Sequence, residues 1–238
     1  MKKLTNVGLA AYALTHAKKK TKYVMGTCCR VLTTAKLESL IKANPGNWFT
    51  QNRVKEVRTW IGEVTTDCHG LIEGYCNDYD SDFVVEQGEG TFDTYADGAY
   101  SQATVKGPIY TIDKSMIGLC VRFTGHVGVY IGNGLVAEAR GFDHGTCITK
   151  LSERQWTDWY QHPMVSYSPV DSMPVKDITK NSSLKDILWL QWRLGVVTDG
   201  EYGPKTAAAY LEFARKRKWT KVSGNYVGMN GRKALSVA

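Results

Sequence analysis

The chain has 238 residues, of which 43% are hydrophobic and 22% are charged, as in soluble globular proteins with one ordinary domain and a small second one. No apolar run approaches the roughly 20 residues that cross a membrane. The formal charge of +7 lies entirely in residues 179–238, which hold eleven Lys and Arg against four Asp and Glu, whereas residues 1–178 hold nineteen of each. We therefore expect the C-terminal part to carry any attraction for a polyanion, with a solvated lysine face as the alternative.

The N-terminal segment predicts a first helix. Leu4, Val7, Ala11 and Leu14 fall on one face at helical spacing. A basic start and an apolar centre are also features of signal peptides, but lysines at 18–20 stand where small cleavage-site residues would be. We expect an amphipathic helix and no cleaved signal.

The middle of the chain changes from helical to strand patterns. Residues 32–45 and 52–62 predict helices, and the apolar spacing after Cys68 predicts a third. From 118 to 141 the sequence is rich in valine and aromatic residues, and the Asn133-Gly134 pair predicts a hairpin turn. Helices followed by an antiparallel sheet indicate an α+β domain, which we assign to residues 1–167.

The sequence of the C-terminal part predicts a separate small helical unit. Residues 168–181 contain two prolines without an apolar period and predict a linker. Residues 182–238 then predict three helices, the first capped by Ser183, the second opened by Pro204 and ending near Trp219. A unit of this size needs support from the first domain or from a ligand.

Neither the cysteines nor the acidic segment predicts a metal site. The six cysteines have no CxxC or metal-ligand spacing, so we expect mostly reduced, buried thiols; they lie at positions 28, 29, 68, 76, 120 and 147. The acidic residues of 78–89 have calcium-loop offsets, but Phe83 stands where that loop needs glycine. We therefore expect an acidic loop, and no metal or other cofactor.

The segment around Cys68 raises the question of nucleophilic chemistry. Asp67 is a favourable N-cap, which puts Cys68 in the first turn of a helix, where backbone N–H groups stabilise a thiolate. A nucleophile of this kind needs a base, and the base needs an orienting acceptor. His126 and Glu138 can supply both, since they lie twelve residues apart across the predicted hairpin. The alternative is a structural cysteine.

Two motifs carry a family resemblance. The stretch DCHGLI together with GHVGVYIGNG resembles the NlpC-type family of papain-like cell-wall cysteine peptidases. The resemblance spans residues 4–166 and implies a papain-like fold in which Cys68 is the nucleophile, His126 the general base and Glu138 the orienting residue. A tyrosine upstream of the family's cysteine corresponds to Tyr23 in TKYVMG, and it implies a hydrogen-bond donor on the oxyanion side.

This sequence departs from the family pattern at several positions. His69 follows the cysteine where the family has serine; consecutive helical residues do not face each other, so we expect His69 to line the cleft with Asp67 and not to act as base. A glutamate in the third position is also unusual, and Asp143 or His144 would be the substitutes if Glu138 points away. The long insert between Gly26 and Thr65 could form a cleft wall that sets specificity.

The C-terminal part resembles small three-helix peptidoglycan-binding modules. The carrying stretch is LQWRLGVVTDGEYGPKTAAA at 190–209, and the resemblance implies wall-binding roles for four residues: Asp199, Gly200, Tyr202 and Gly203. Together the two resemblances imply a bacteriophage endolysin that hydrolyses an amide in the peptide part of peptidoglycan, as an endopeptidase or an N-acetylmuramoyl-L-alanine amidase. Since no cleaved signal is expected, such a protein would be made in the host cytoplasm and act on the cell wall after its release. Its partners would be peptidoglycan and anionic wall polymers.

Two alternatives from other classes remain open at this point. The same fold can transfer acyl groups, although a wall-binding module has no use in that reaction. A non-catalytic wall-binding protein would keep its function without Cys68. Nucleic acid is disfavoured because the basic run ARKRKW is short and lacks interleaved aromatic residues.

Overall fold

The structure, a computed structural model, describes residues 4–77 and 94–238. Eight α-helices lie in these ranges: α1 Asn6–Lys19, α2 Thr34–Ala43, α3 Gln51–Val57, α4 Gly70–Cys76, α5 Ala96–Gln102, α6 Leu184–Leu194, α7 Pro204–Lys216 and α8 Met229–Ser236. The same ranges contain eleven strands: β1 Lys22–Tyr23, β2 Cys28–Val31, β3 Val64–Thr66, β4 Lys106–Pro108, β5 Cys120–Phe123, β6 His126–Gly132, β7 Leu135–Ala139, β8 Thr146–Lys150, β9 Asp158–Tyr160, β10 Ile178–Thr179 and β11 Tyr226–Val227. The mixed helix and strand content confirms the α+β prediction.

A six-stranded antiparallel sheet forms the centre of the molecule. Its strand order is β4-β9-β5-β6-β7-β8. The predicted hairpin joins β6 to β7, and both turn residues, Asn133 and Gly134, have positive φ angles of 54° and 70°. This is the conformation that an Asn-Gly pair favours, because its twist matches that of the flanking strands.

Helix α1 is buried on most sides, so the prediction of an amphipathic helix was wrong. Its residues from Asn6 to Ala11 are all buried. One side packs on β6, β7 and β8, and other sides contact α4 and α6. Thr5 caps the helix by accepting a hydrogen bond from the Gly8 N–H at 3.2 Å. The six-stranded sheet and the helices α4 and α6 therefore all pack against α1.

A second, smaller sheet was not predicted. Strand β3 lies between β1 and β2, parallel to the former and antiparallel to the latter. The insert that carries α2 and α3 packs on its own apolar cluster; the buried members are Val24, Leu32, Leu37, Leu40, Phe49, Val57 and Trp60. Since β3 runs directly into Asp67 and Cys68, this small sheet sets the position of the candidate nucleophile.

The C-terminal region has the three predicted helices but is not purely helical. Ser183 caps α6 by accepting from the Asp186 N–H at 3.2 Å, and α7 ends at Lys216, three residues before the predicted end. Strand β11 pairs with β10, which lies within the segment predicted as a linker. Helix α6 packs on α1, and the indole of buried Trp189 donates to the Pro169 carbonyl at 3.0 Å.

The predicted linker, 168–181, is therefore a packed segment. Ser172 is 1% exposed and its hydroxyl donates to the Asn6 side-chain oxygen at 3.2 Å. The Arg232 guanidinium, on α8, donates to the Pro174 carbonyl at 2.6 Å. These contacts explain how a unit as small as residues 182–238 gains the support that its size requires.

All six cysteines are free thiols, and four of them are buried, as the sequence predicted. In the described part of the chain, no helix is both long enough and apolar enough to span a membrane. The acidic segment 78–89, considered above as a calcium loop, lies outside the described residues.

Candidate active site

Cys68 lies in the turn that joins β3 to α4. The helix begins at Gly70, two residues later than predicted, so Cys68 and His69 precede it. Asp67 nevertheless caps this end of the helix, because its Oδ1 accepts from the Gly70 N–H at 2.7 Å. Its Oδ2 accepts from the Gly26 N–H at 2.8 Å. One carboxylate therefore ties the turn of the candidate nucleophile to the loop after β1.

Gly70 allows this turn to approach the neighbouring backbone. A Cβ atom at this position would lie 2.0 Å from the Thr27 carbonyl oxygen and 2.9 Å from the Cys28 Cα. Both neighbours are backbone atoms, which cannot rotate away. Any side chain at position 70 would therefore push the Cys68 turn off the small sheet.

His126 and Glu138 form a buried pair on adjacent strands. His126 is the first residue of β6, and its Nε2 lies 2.7 Å from Glu138 Oε2 on β7. Gly128 leaves space for the pair, since a Cβ there would come within 3.2 Å of the Glu138 Cβ. The predicted meeting of these two side chains across the hairpin is present. Asp143 and His144, the predicted substitutes, are both exposed.

The surroundings of Glu138 keep it ionised. Its side chain is fully buried; Oε1 accepts from the Thr149 hydroxyl at 2.6 Å and lies 3.3 Å from Arg154 Nε. Burial alone would raise the pKa of Glu138, but the hydrogen bonds from His126 and Thr149 and the charges of His126 and Arg154 together lower it below its ordinary value. The carboxylate is thus available to hold the imidazole and to stabilise its cation.

Sequence reasoning missed Thr149 and Arg154. Thr149 lies on β8, two residues from Cys147, the residue that pairs with Glu138. Residues two apart face the same side of a strand, so the period-2 pattern would have revealed Thr149 once β8 had been recognised.

The imidazole of His126 packs against two aromatic rings that also contact each other. Trp156 stacks on it with centroids 5.6 Å apart and an interplanar angle of 13°, and the Phe123 ring lies at 5.0 Å. Trp156 is buried, with 5% of its surface exposed, and the sequence gave no sign of this contact. With Nε2 committed to Glu138, the second ring nitrogen, Nδ1, has no hydrogen-bond partner among the described residues.

The sulfur of Cys68 lies beside the backbone that carries His126. Cys68 Sγ is 4.0 Å from the Gly125 carbonyl oxygen, and the nearby Val127 N–H also interacts with it. Burial and, next, the charge of Asp67 raise the pKa of the Cys68 thiol to about 12, although neighbouring backbone N–H groups oppose this. The resting thiol is therefore protonated, and its activation needs a base.

The turn before His126 is fixed by residues that the sequence did not single out. Asp97, in α5, accepts from the Gly125 N–H at 3.0 Å. The same carboxylate pairs with the Arg122 guanidinium at 2.6 Å, and Arg122 also pairs with Asp158 at 3.0 Å. This network joins α5, β5 and β9 to the turn that presents His126.

Tyr23 lies close to the Cys68 thiol, as the prediction requires. Burial, the charges of Cys68 and Asp67 and a hydrogen bond with Cys68 all raise the pKa of Tyr23. A phenol with a raised pKa stays protonated and can donate a hydrogen bond.

His69 points to the interior. It is 4% exposed, and its ring lies 6.2 Å from the ring of His162. Burial and the charge of His69 lower the pKa of His162 to about 3, and His162 Nδ1 lies 3.6 Å from the Cys76 sulfur. This arrangement does not favour the expected role of His69 as a residue that lines the cleft.

The predicted wall-binding residues form a turn that is held by hydrogen bonds within the protein. Gln191, buried in α6, donates to Asp199 Oδ1 at 2.6 Å and accepts from the Gly200 N–H at 2.9 Å. Gly200 has a φ of +77°, and the Tyr202 hydroxyl donates to the Gly224 carbonyl at 2.9 Å. Asp199 Oδ1, the Gly200 N–H and the Tyr202 hydroxyl are thus all engaged within the protein, although Asp199 is exposed. Gly203 is the N-cap of α7 and packs against nothing within 4 Å of where its Cβ would be.

No family model matches this chain, and neither a curated protein nor a solved structure is significantly similar to it. What the site does therefore has to be inferred from its own residues.

Proposed function

We propose that this protein is a cysteine hydrolase that cleaves an amide bond in the peptide part of bacterial peptidoglycan. The observation that carries the proposal is the buried His126–Glu138 pair, 2.7 Å apart, at the backbone that the Cys68 sulfur contacts. Buried acid–imidazole pairs beside a thiol are the arrangement that nucleophilic catalysis requires. The resemblance to NlpC-type peptidases supplies the substrate class, and with it the papain-like fold.

The chemistry follows from which nitrogen of His126 is free. Because Nε2–H is held by Glu138, Nδ1 is the basic nitrogen that accepts the Cys68 proton. The thiolate then attacks the amide carbonyl, and the carbon–sulfur bond forms. The imidazolium, stabilised by Glu138, returns its proton to the leaving amine as the carbon–nitrogen bond breaks. Water, deprotonated by His126, attacks the resulting thioester and restores the thiol with release of a carboxylic acid.

Stabilisation of the oxyanion can come from two donors at the turn. The Cys68 N–H donates to no backbone carbonyl in the described part of the chain. The Tyr23 hydroxyl stays protonated beside the same thiol. Each fixed donor of this kind typically contributes about 10²–10³-fold to the rate.

A groove in the C-terminal region supports attachment to the wall. It has a volume of about 400 Å³, and its lining includes Tyr210, Trp219, Lys221 and Tyr226. Aromatic faces and a lysine suit a polymer of sugars and acidic peptides. Since Asp199 and Gly200 are bonded internally, we place the wall-binding surface of this proposed three-helix module at the groove.

The experiment is hydrolysis of purified bacterial cell walls by wild type and Cys68→Ala, with EDTA in parallel samples and mass spectra of the released fragments. Loss of turbidity by wild type alone, unchanged by EDTA, supports the proposal, and the fragment masses identify the bond. Fragments that carry an added amine instead of a carboxylic acid would indicate acyl transfer. Sedimentation of both proteins with the walls without release of fragments would leave a binding protein and overturn the hydrolase.

A further inference from the structure

Three aromatic side chains, Trp48, Trp60 and Phe142, form an aromatic wall next to Tyr23. Two of them, Trp48 and Trp60, belong to the insert between β2 and β3. The rings of Trp48 and Tyr23 lie 5.9 Å apart. Phe142, from the loop between β7 and β8, lies 5.8 Å from Trp48 and 5.3 Å from Trp60. Two segments far apart in sequence thus meet beside the candidate active site.

Arg53, in α3, lies on this aromatic wall and makes few polar contacts with the described residues. Its guanidinium carbon is 5.3 Å from the Trp48 ring centre and 5.4 Å from that of Phe142. It donates one long hydrogen bond, 3.4 Å, to the Trp48 carbonyl. Among the described residues it has no carboxylate partner, whereas Arg58 on the same insert pairs with Glu38 at 2.8 Å.

Arg53 is connected to Tyr23 through Trp48, whose ring centre lies 5.3 Å from the guanidinium carbon and 5.9 Å from the ring centre of Tyr23. The charge of Arg53 opposes the rise in the pKa of Tyr23, to which Cys68 contributes. Because the guanidinium and the Tyr23 ring both lie against the Trp48 ring, a substrate residue next to the reacting amide can reach the guanidinium. Stacking on two rings fixes the plane of the guanidinium, and several of its five N–H donors remain unused.

We propose that Arg53 binds a carboxylate of the peptide substrate, next to the amide that Cys68 attacks, and so selects acidic peptides. The proposal rests on the proposed hydrolase function and adds its specificity. A planar guanidinium matches a carboxylate with two parallel hydrogen bonds, which lysine cannot reproduce. A phosphate in a wall polymer offers similar oxygens, but the amide chemistry at Cys68 requires a peptide at this site.

The test uses the full chain and soluble muropeptides, native or with their carboxylates converted to amides by carbodiimide and ammonia. Wild type should lose about 10- to 100-fold in kcat/KM on amidation, the range for a hydrogen bond to a charged group. On native muropeptides, Arg53→Gln should have a kcat/KM lower than that of wild type by the same factor. Amidation of the muropeptides should lower the kcat/KM of Arg53→Gln little further. Arg58→Gln, the matched control, should behave as wild type in both cases, and thermal melts check that each variant is folded.

Binding in the Cys68→Ala background separates this proposal from the hydrolase. Calorimetry would compare Cys68→Ala with the double variant Cys68→Ala/Arg53→Gln, using native muropeptides, amidated muropeptides and a purified phosphate-containing wall polymer. Weaker binding of native muropeptides alone by the double variant supports the Arg53 site even if wild type hydrolyses nothing. Hydrolysis with the same sensitivity to amidation in wild type and Arg53→Gln overturns the Arg53 site and leaves the hydrolase. The Arg53 site is also overturned if the double variant loses affinity only for the phosphate polymer, or if neither variant binds muropeptides.

Discussion

Replacement of Glu138 by glutamine tests the charge at the centre of the site without changing its shape. The amide oxygen can still accept from His126 Nε2, and the Thr149 hydroxyl can turn to accept from the new NH₂ group. What disappears is the negative charge beside the imidazolium. Two unit charges about 4 Å apart interact by roughly 4 kcal/mol at an effective dielectric constant of about 20. Each 1.36 kcal/mol is tenfold in rate, so kcat/KM should fall about a thousandfold.

Two readouts check this expectation for Glu138→Gln. The first is kcat/KM on a soluble muropeptide, followed by chromatography of the products. The second needs no substrate: mass spectrometry of the Cys68 peptide gives its rate of alkylation by iodoacetamide, which should slow because the base is weaker. Glu153→Gln is the control, since Glu153 is half-exposed and its pair with Arg140, at 3.5 Å, contributes little. A folded Glu138→Gln variant within threefold of wild type in both readouts would refute the role of the carboxylate.

Three further predictions concern stability, measured by urea denaturation against Gly203→Ala, a site where a Cβ meets nothing within 4 Å. Gly70→Ala should cost about 3 kcal/mol, because its Cβ would lie 2.0 Å from the Thr27 carbonyl. Gln191→Ala should also cost about 3 kcal/mol, since it removes the hydrogen bonds that both ends of a buried amide make to the 199–201 turn. Burial lowers the pKa of His16 from 6.5 to about 4, so the unfolded chain takes up this proton first as the pH falls between these values. As the pH falls from 6.5 to about 4, His16 should therefore lower the free energy of unfolding of wild type by roughly 3 kcal/mol. In His16→Gln, the free energy of unfolding should fall less over the same pH range. Any of these variants that matches the control, or an unchanged pH profile for His16→Gln, contradicts the reasoning for that residue.

The meeting of His126 and Glu138 could be predicted because its signals are local. The Asn133-Gly134 turn brings the two strands together, and a register shift between Tyr130 and Gly132 then places Glu138 on the same face as His126. Thr149 and Trp156 come from chain segments beyond the hairpin. Thr149 approaches Glu138 because β8 pairs with β7, and Trp156 approaches His126 because its ring packs over the sheet. No short sequence pattern indicates the pairing or the packing.

Two errors have a similar physical origin. Helix α1 packs not only on the sheet but also on α6, which lies more than 160 residues later in the chain. An apolar pattern within one helix cannot show that a second partner exists. The start of α4 was placed two residues early because Asp67 caps the helix from outside its regular turns.

The central claim is that Cys68 is the nucleophile, and the most direct test is rapid acid quenching of the protein mixed with a muropeptide, followed by peptide mapping of wild type and Cys68→Ala. We predict that the wild-type peptide containing Cys68 gains the mass of the acyl fragment, in a form that hydroxylamine removes. The Cys68→Ala protein should release no fragment. Release of the same fragments by Cys68→Ala at the wild-type rate would contradict the account.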